Sequence, residues 1–117
     1  MINIKYTKST NSTIEFSIID NTTNDIGAML ISSEILNGKH YFVFSAIFKN
    51  KSYTEKYKYH KCDNALSNAV SRREIYYHIL NFEKFIDTFI IDILKDDSGV
   101  IMDIESNLKE YFINQIL

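Results

Sequence analysis

Residues 27–61 read GAMLISSEILNGKHYFVFSAIFKNKSYTEKYKYHK, and the fold turns on how this stretch pairs with itself. Asn37-Gly38 lies between two runs of alternating polarity. That pair is the strongest short hairpin signal, because a tight two-residue turn needs positive φ at both positions. With this turn, Phe44 faces Ile31, Ala46 faces Met29 and His40 faces Ile35. A second turn at Asn50-Lys51, within a connection over 49–51, sets Phe48 against Tyr53, Phe44 against Tyr57 and Phe42 against Tyr59. Both registers gather large apolar side chains on one face, as cross-strand packing favours. The other face is mixed: Leu30, Ser32, Glu34, Tyr41, Val43, Ser45, Ile47, Thr54, Lys56, Lys58 and His60.

Toward the N-terminus the same two-residue period continues. Ile2, Ile4 and Tyr6 alternate with polar residues, as do Ile14, Phe16 and Ile18, with a polar hairpin loop over 8–12 between them. The run DNTTND over 20–25 reads as a further connection. Beyond residue 61 the period changes to three or four. Asp63 is placed to cap a short helix over 63–70, and Ser71 with Glu74 forms a capping box opening a longer helix to about residue 95. Along that helix Ile75, Ile79, Phe82, Ile86, Phe89 and Ile93 form one apolar stripe, widened by Phe85 and Ile90. Residues 96–99 break it. A last helix starts near Val100, with Ile101, Ile104, Leu108, Tyr111 and Phe112 on one side. A meander of about five antiparallel strands followed by two to three helices needs no parallel crossover. It predicts an α+β fold, a single domain over 1–117, with the helices on the aromatic face of the sheet and the mixed face open.

Bulk properties agree with that expectation. A chain of 117 residues covers roughly 13,000 Å² of roughly 20,000 Å² on folding, enough for a core without staples. With 45% hydrophobic and 24% charged residues, the composition excludes disorder and fibrous classes. No run of about eighteen apolar residues is present, so no membrane contact is expected. The formal charge of -2 gives no strong overall field, but it is unevenly spread: residues 1–61 carry +3 and residues 62–117 carry -5. The single cysteine, Cys62, cannot form an intrachain disulfide, and the first residues lack the apolar core of a signal peptide, so a cytoplasmic location is expected. Asn-x-Ser/Thr sequons at Asn11, Asn21 and Asn50 are what chance supplies in a chain of this composition. Nineteen isoleucines, eleven lysines against two arginines, and no proline match an AT-rich genome, such as a low-GC bacterium, its phages or a large DNA virus.

Most chemistry is missing from the pattern. The glycines Gly27, Gly38 and Gly99 stand too far apart for a phosphate-binding loop. His60-Lys61-Cys62 offers two metal-binding types but no paired spacing, and reads more simply as a strand-end histidine beside a thiol. Cys62 or a serine beside a histidine lacks any local nucleophile signature. Asp87 and Asp92 fall on the polar side of the long helix, a solvated face rather than an acid–base pair. Asp96-Asp97-Ser98-Gly99 lacks the spaced oxygens of a calcium loop and reads as a helix stop. No catalytic residue, metal or cofactor is assigned.

Two features remain. Lys49, Lys51, Lys56, Lys58 and His60 are interleaved with aromatics, as a nucleotide or single-stranded nucleic-acid surface would need. The register sends Tyr53, Tyr57 and Tyr59 to the covered face, however, so the lysines read more simply as protection of an exposed edge. The second feature is on the long helix, where Tyr77, Leu80 and Ile91 fall among Lys84, Asp87 and Thr88, opposite the main stripe. That row is a seam for a partner or for self-association, unless residues 63–70 pack on it. The expected function is a non-enzymatic inhibitor or sequestering protein of the toxin-immunity or phage counter-defence type. The alternative is a nucleotide- or single-strand-binding module using the basic strand.

Overall fold

The computed structural model describes residues 1–61 and 68–117, with the backbone alone for 68–71. Five strands follow one another: β1 (Ile2–Ser9), β2 (Thr13–Asp20), β3 (Ile26–Leu36), β4 (Lys39–Phe48) and β5 (Lys51–Tyr59). Then come α1 (Asn68–Asp87), a π-helical turn (Thr88–Ile93), β6 (Val100–Met102) and α2 (Glu105–Ile116). The fold is α+β. The strands lie in the order β5-β4-β3-β2-β1-β6, so the meander is laid out in chain order with one late addition at its far edge.

The Asn37-Gly38 turn has φ of 52° and 75°, and the β3–β4 register is as expected, with Ile31 opposite Phe44 and Met29 opposite Ala46. The next hairpin differs by two residues. Its turn is Lys49-Asn50, at φ of 51° and 62°, so Phe48 faces Lys51, Phe44 faces Glu55 and Phe42 faces Tyr57. A slip of two leaves every side chain on its expected face. It also keeps the expected aromatic contacts as diagonals: Phe42 stacks on Tyr59 at 3.9 Å, and Phe44 meets Tyr57 at 4.9 Å between ring centroids. Diagonal neighbours are within reach of large rings, so packing alone does not choose between the two registers.

The long helix opens at Asn68, so residue 71 lies inside it rather than at its cap. Cys62 and Asp63 lie outside the described residues, as does most of the short helix expected over 63–70. After Asp87 the helix widens into the π-helical turn, marked by the Leu94 N–H bonding to the Phe89 carbonyl five residues back. The extra residue in the turn brings both Phe89 and Ile90 inward. Val100–Met102, expected to begin the last helix, instead forms β6, parallel to β1 with Ile2 opposite Val100. The sheet is therefore mixed and six-stranded. Ile101 points away from the helices and is half exposed, and α2 begins at Glu105.

One core results. Ile2, Ile4, Ile14, Phe16, Ile18, Met29, Ile31, Phe42 and Phe44 from the sheet meet Ile79, Phe82, Phe85, Ile86 and Phe89 from the long helix and Leu108, Phe112 and Ile116 from α2. Burying each such side chain favours folding by about 1.5–3 kcal/mol. Tyr111 ties α2 to the sheet, donating to the Ser12 carbonyl at 2.8 Å.

Candidate functional site

Among the described residues the strand order leaves β5 as an edge, paired on one side only. Its alternation sorts the side chains. Tyr53, Glu55, Tyr57 and Tyr59 face the helices, while Thr54, Lys56 and Lys58 face the open side and are exposed. Tyr59 is buried, and Tyr53 and Tyr57 are half-buried; Tyr53 stacks on Phe85. The hydroxyls of Tyr53 and Tyr57 both donate to the Glu55 carboxylate between them. That contact raises the Tyr53 pKa, and burial together with Glu55 raises that of Tyr57.

The residues expected to form one basic surface are divided. Lys49 stands at the β4–β5 turn with its amine 2.5 Å from a carboxylate oxygen of Asp20, which is buried. The ion pair and the Thr22 N–H hold the Asp20 pKa well below the usual carboxylate range, and the ion pair raises that of Lys49. Asp25 and Asp96 also act on this amine, so Lys49 is a structural cation that knits two turns together. Lys51 is exposed but lies on the helix-facing side of β5, away from Lys56 and Lys58. Lys56 sits 3.8 Å from Glu34 and 5.6 Å over the Tyr41 ring, both loose contacts at the surface. The His60 backbone N–H donates to Glu74 at 3.1 Å, which pins the exit of β5 to α1.

At that exit the structure assembles a group the sequence reading separated. Lys39, His40, Lys58, His60 and Lys61, with Gly38 and Tyr59, line an open groove of about 300 Å³. In sequence His40, paired with Ile35, and His60, at the end of the next strand, read as separate. Three pieces of chain converge here: the Asn37-Gly38 turn, the start of β4 and the end of β5. The signal was the turn itself, which must bring Lys39 beside the end of the next strand.

Tyr77 and Leu80 on α1 and Ile91 in the π-helical turn are 58%, 56% and 51% exposed, and Tyr76 beside Tyr77 is 51% exposed under Lys109. Phe85 of α1 stacks on Tyr53 of β5, so the helix packs against the helix-facing side of that strand. His78 is buried against Phe42, Tyr59 and Phe112. Among the described residues neither ring nitrogen has a hydrogen-bond partner, and burial pushes the imidazole pKa down against the pull of Glu74, 3.6 Å away.

A second concavity of about 480 Å³ separates the β1–β2 hairpin from α2, with Tyr6, Asn11, Asn107, Glu110 and Asn114 on its walls. Gln115 spans it to the Asn11 carbonyl at 2.7 Å. Among the described residues no three metal-binding side chains come together, and no helix is long and apolar enough to cross a membrane. Comparison with protein-family models, with curated proteins and with solved structures finds no match to this chain.

Proposed function

We infer that this is a non-enzymatic cytoplasmic binding protein that neutralises or sequesters a partner protein, in the manner of toxin-immunity or phage counter-defence proteins. One observation carries the reading: Tyr77 and Leu80 of α1 and Ile91 of the π-helical turn are exposed, and β5, which bears exposed Lys56 and Lys58, is an edge strand among the described residues. Aromatic and aliphatic anchors flanked by charge are what protein interfaces are built from. Scattered exposed apolar residues are ordinary, whereas a row along one helix face beside an open edge is a patch. The same row also offers a seam for a homo-oligomer through the long helix.

Affinity capture from cells, read by mass spectrometry, tests this. Wild type is expected to retain a stoichiometric protein that Tyr77→Ala and Lys56→Glu/Lys58→Glu lose. Equal recovery by all three would overturn the assignment of the surface. The groove of Lys39, His40, Lys58, His60 and Lys61 supports a second reading, a nucleotide or single-stranded nucleic acid held by its phosphates. In that case binding of a labelled oligonucleotide falls steeply and log-linearly with salt.

A further inference from the structure

We propose that the free edge of β5 is a strand-addition site for an extended, acidic segment of the partner, laid beside the outer side of α1. This rests on the protein-binding reading above and names the chemistry of that partner. The two-residue turn at Lys49-Asn50 makes Phe48 and Lys51 a hydrogen-bonded pair. The residues bonded to β4 are then Lys51, Tyr53, Glu55, Tyr57 and Tyr59. Ser52, Thr54, Lys56 and Lys58 accordingly aim their N–H and C=O groups away from the sheet. The β4–β5 register runs without a bulge, so this outward row is regular over seven residues, roughly 20 Å at the strand rise. Edges of that length are normally shortened, bulged or covered.

An added strand alternates its side chains as β5 does. One set meets Tyr57 and Tyr77 on the helix side, and the other meets Lys56 and Lys58 on the open side. The charge of the edge selects the occupant. The Tyr53 and Tyr57 hydroxyls already occupy the Glu55 carboxylate, and Lys56 holds Glu34 only at 3.8 Å with both side chains well exposed. Lys51 and Lys61 add to the positive rim. A second copy is the wrong occupant: antiparallel self-pairing centred near these residues sets Lys56 and Lys58 against one another, and like charges in opposition destabilise a strand pair. An acidic strand turns the same lysines from a barrier into a docking contact.

The experiment uses a ten-residue peptide of alternating valine and glutamate, its lysine counterpart, and amide hydrogen exchange of the full chain by NMR. The acidic peptide is expected to slow exchange at Ser52, Thr54, Lys56 and Lys58 at least tenfold, and the basic one to leave it unchanged. Thr54→Pro removes one outward donor at an edge position where proline is tolerated. It is expected to keep the urea midpoint and lose at least tenfold in peptide affinity. Should Thr54→Pro fail to fold, Lys56→Glu/Lys58→Glu answers instead, with preference passing to the basic peptide. Protection confined to α1 overturns the proposal, as does equal protection by both peptides. Concentration-dependent protection of β5 without peptide assigns the edge to a second copy, and protection by an oligonucleotide assigns it to nucleic acid; either result overturns the proposal. If Thr54→Pro still recovers the cellular partner, strand addition falls and the protein-binding reading stands. If wild type recovers no protein, both fall.

Discussion

The β4–β5 hairpin carries lysine at both of its ends, and the two ends have opposite chemistry. At the turn, Lys49 is clasped by buried Asp20 with Asp25 and Asp96 close by. At the open end, Lys58, His60 and Lys61 gather with Lys39 and His40 around a groove whose walls carry no carboxylate among the described residues. In sequence these lysines look alike, spaced by a few residues among tyrosines. What separates them is the company brought by distant chain: Asp20 is 29 residues from Lys49, and no local pattern announces it. One cation stabilises the fold, and the others stay exposed.

That contrast can be broken at several points. The largest effect is expected at the shared platform. Phe44 is fully buried between Ile31, Tyr57 and Phe82, and Phe44→Ala should cost about 3–5 kcal/mol in urea or guanidinium unfolding, loosening both ends together. A small change in midpoint would mean that the two ends do not hang on one core.

Acid titration separates the turn end from the rest. Because the folded pKa of Asp20 is depressed, its stabilising contribution is complete above the unfolded value and is lost as pH falls through the folded one. The unfolding midpoint of wild type should therefore decline below about pH 5. Asp20→Asn should start lower and decline less, while peptide or partner binding at neutral pH stays intact. His78 acts in the same direction from the open end. Burial holds its folded pKa below the ordinary histidine value of about 6.5, so stability is complete above that value and falls as pH drops from it, where the unfolded chain takes up a proton the buried ring refuses. His78→Phe should remove that slope near pH 6, read from midpoints between pH 5 and pH 8.

The smallest effect on stability and the largest on binding should come from Lys56→Glu/Lys58→Glu. Both side chains are exposed, so the unfolding midpoint should move by no more than about 0.5 kcal/mol while partner binding is lost. A variant that fails to fold would mean the two lysines do structural work resembling that of Lys49.

The division of faces was legible in the sequence, since a two-residue alternation survives any even slip of register. That is why Tyr53, Tyr57 and Tyr59 fall where expected although their hairpin turns one residue earlier than Asn50 implied. Val100–Met102 was not legible: three apolar residues fit a strand and the first turn of a helix equally well, and only proximity to β1 decides. The widening after Asp87 escaped for a related reason, because a stripe with apolar residues at 85, 86, 89, 90 and 93 satisfies either helical pitch. The exposed row of Tyr77, Leu80 and Ile91 was found, because it contradicts the amphipathic pattern. The basic groove was missed because its members come from separate strands.

The brief β6 bears on stoichiometry. It covers only Ile2–Ile4 of β1, and past it β1 continues with an irregular step between Tyr6 and Lys8 and with Lys5 and Lys8 on its flank. Fibres grow when a subunit offers two matching sides, one to receive and one to be received. The molecule has a regular side at β5 and an irregular one at β1, so the strand addition proposed above is expected to end after a single join, giving a one-to-one complex.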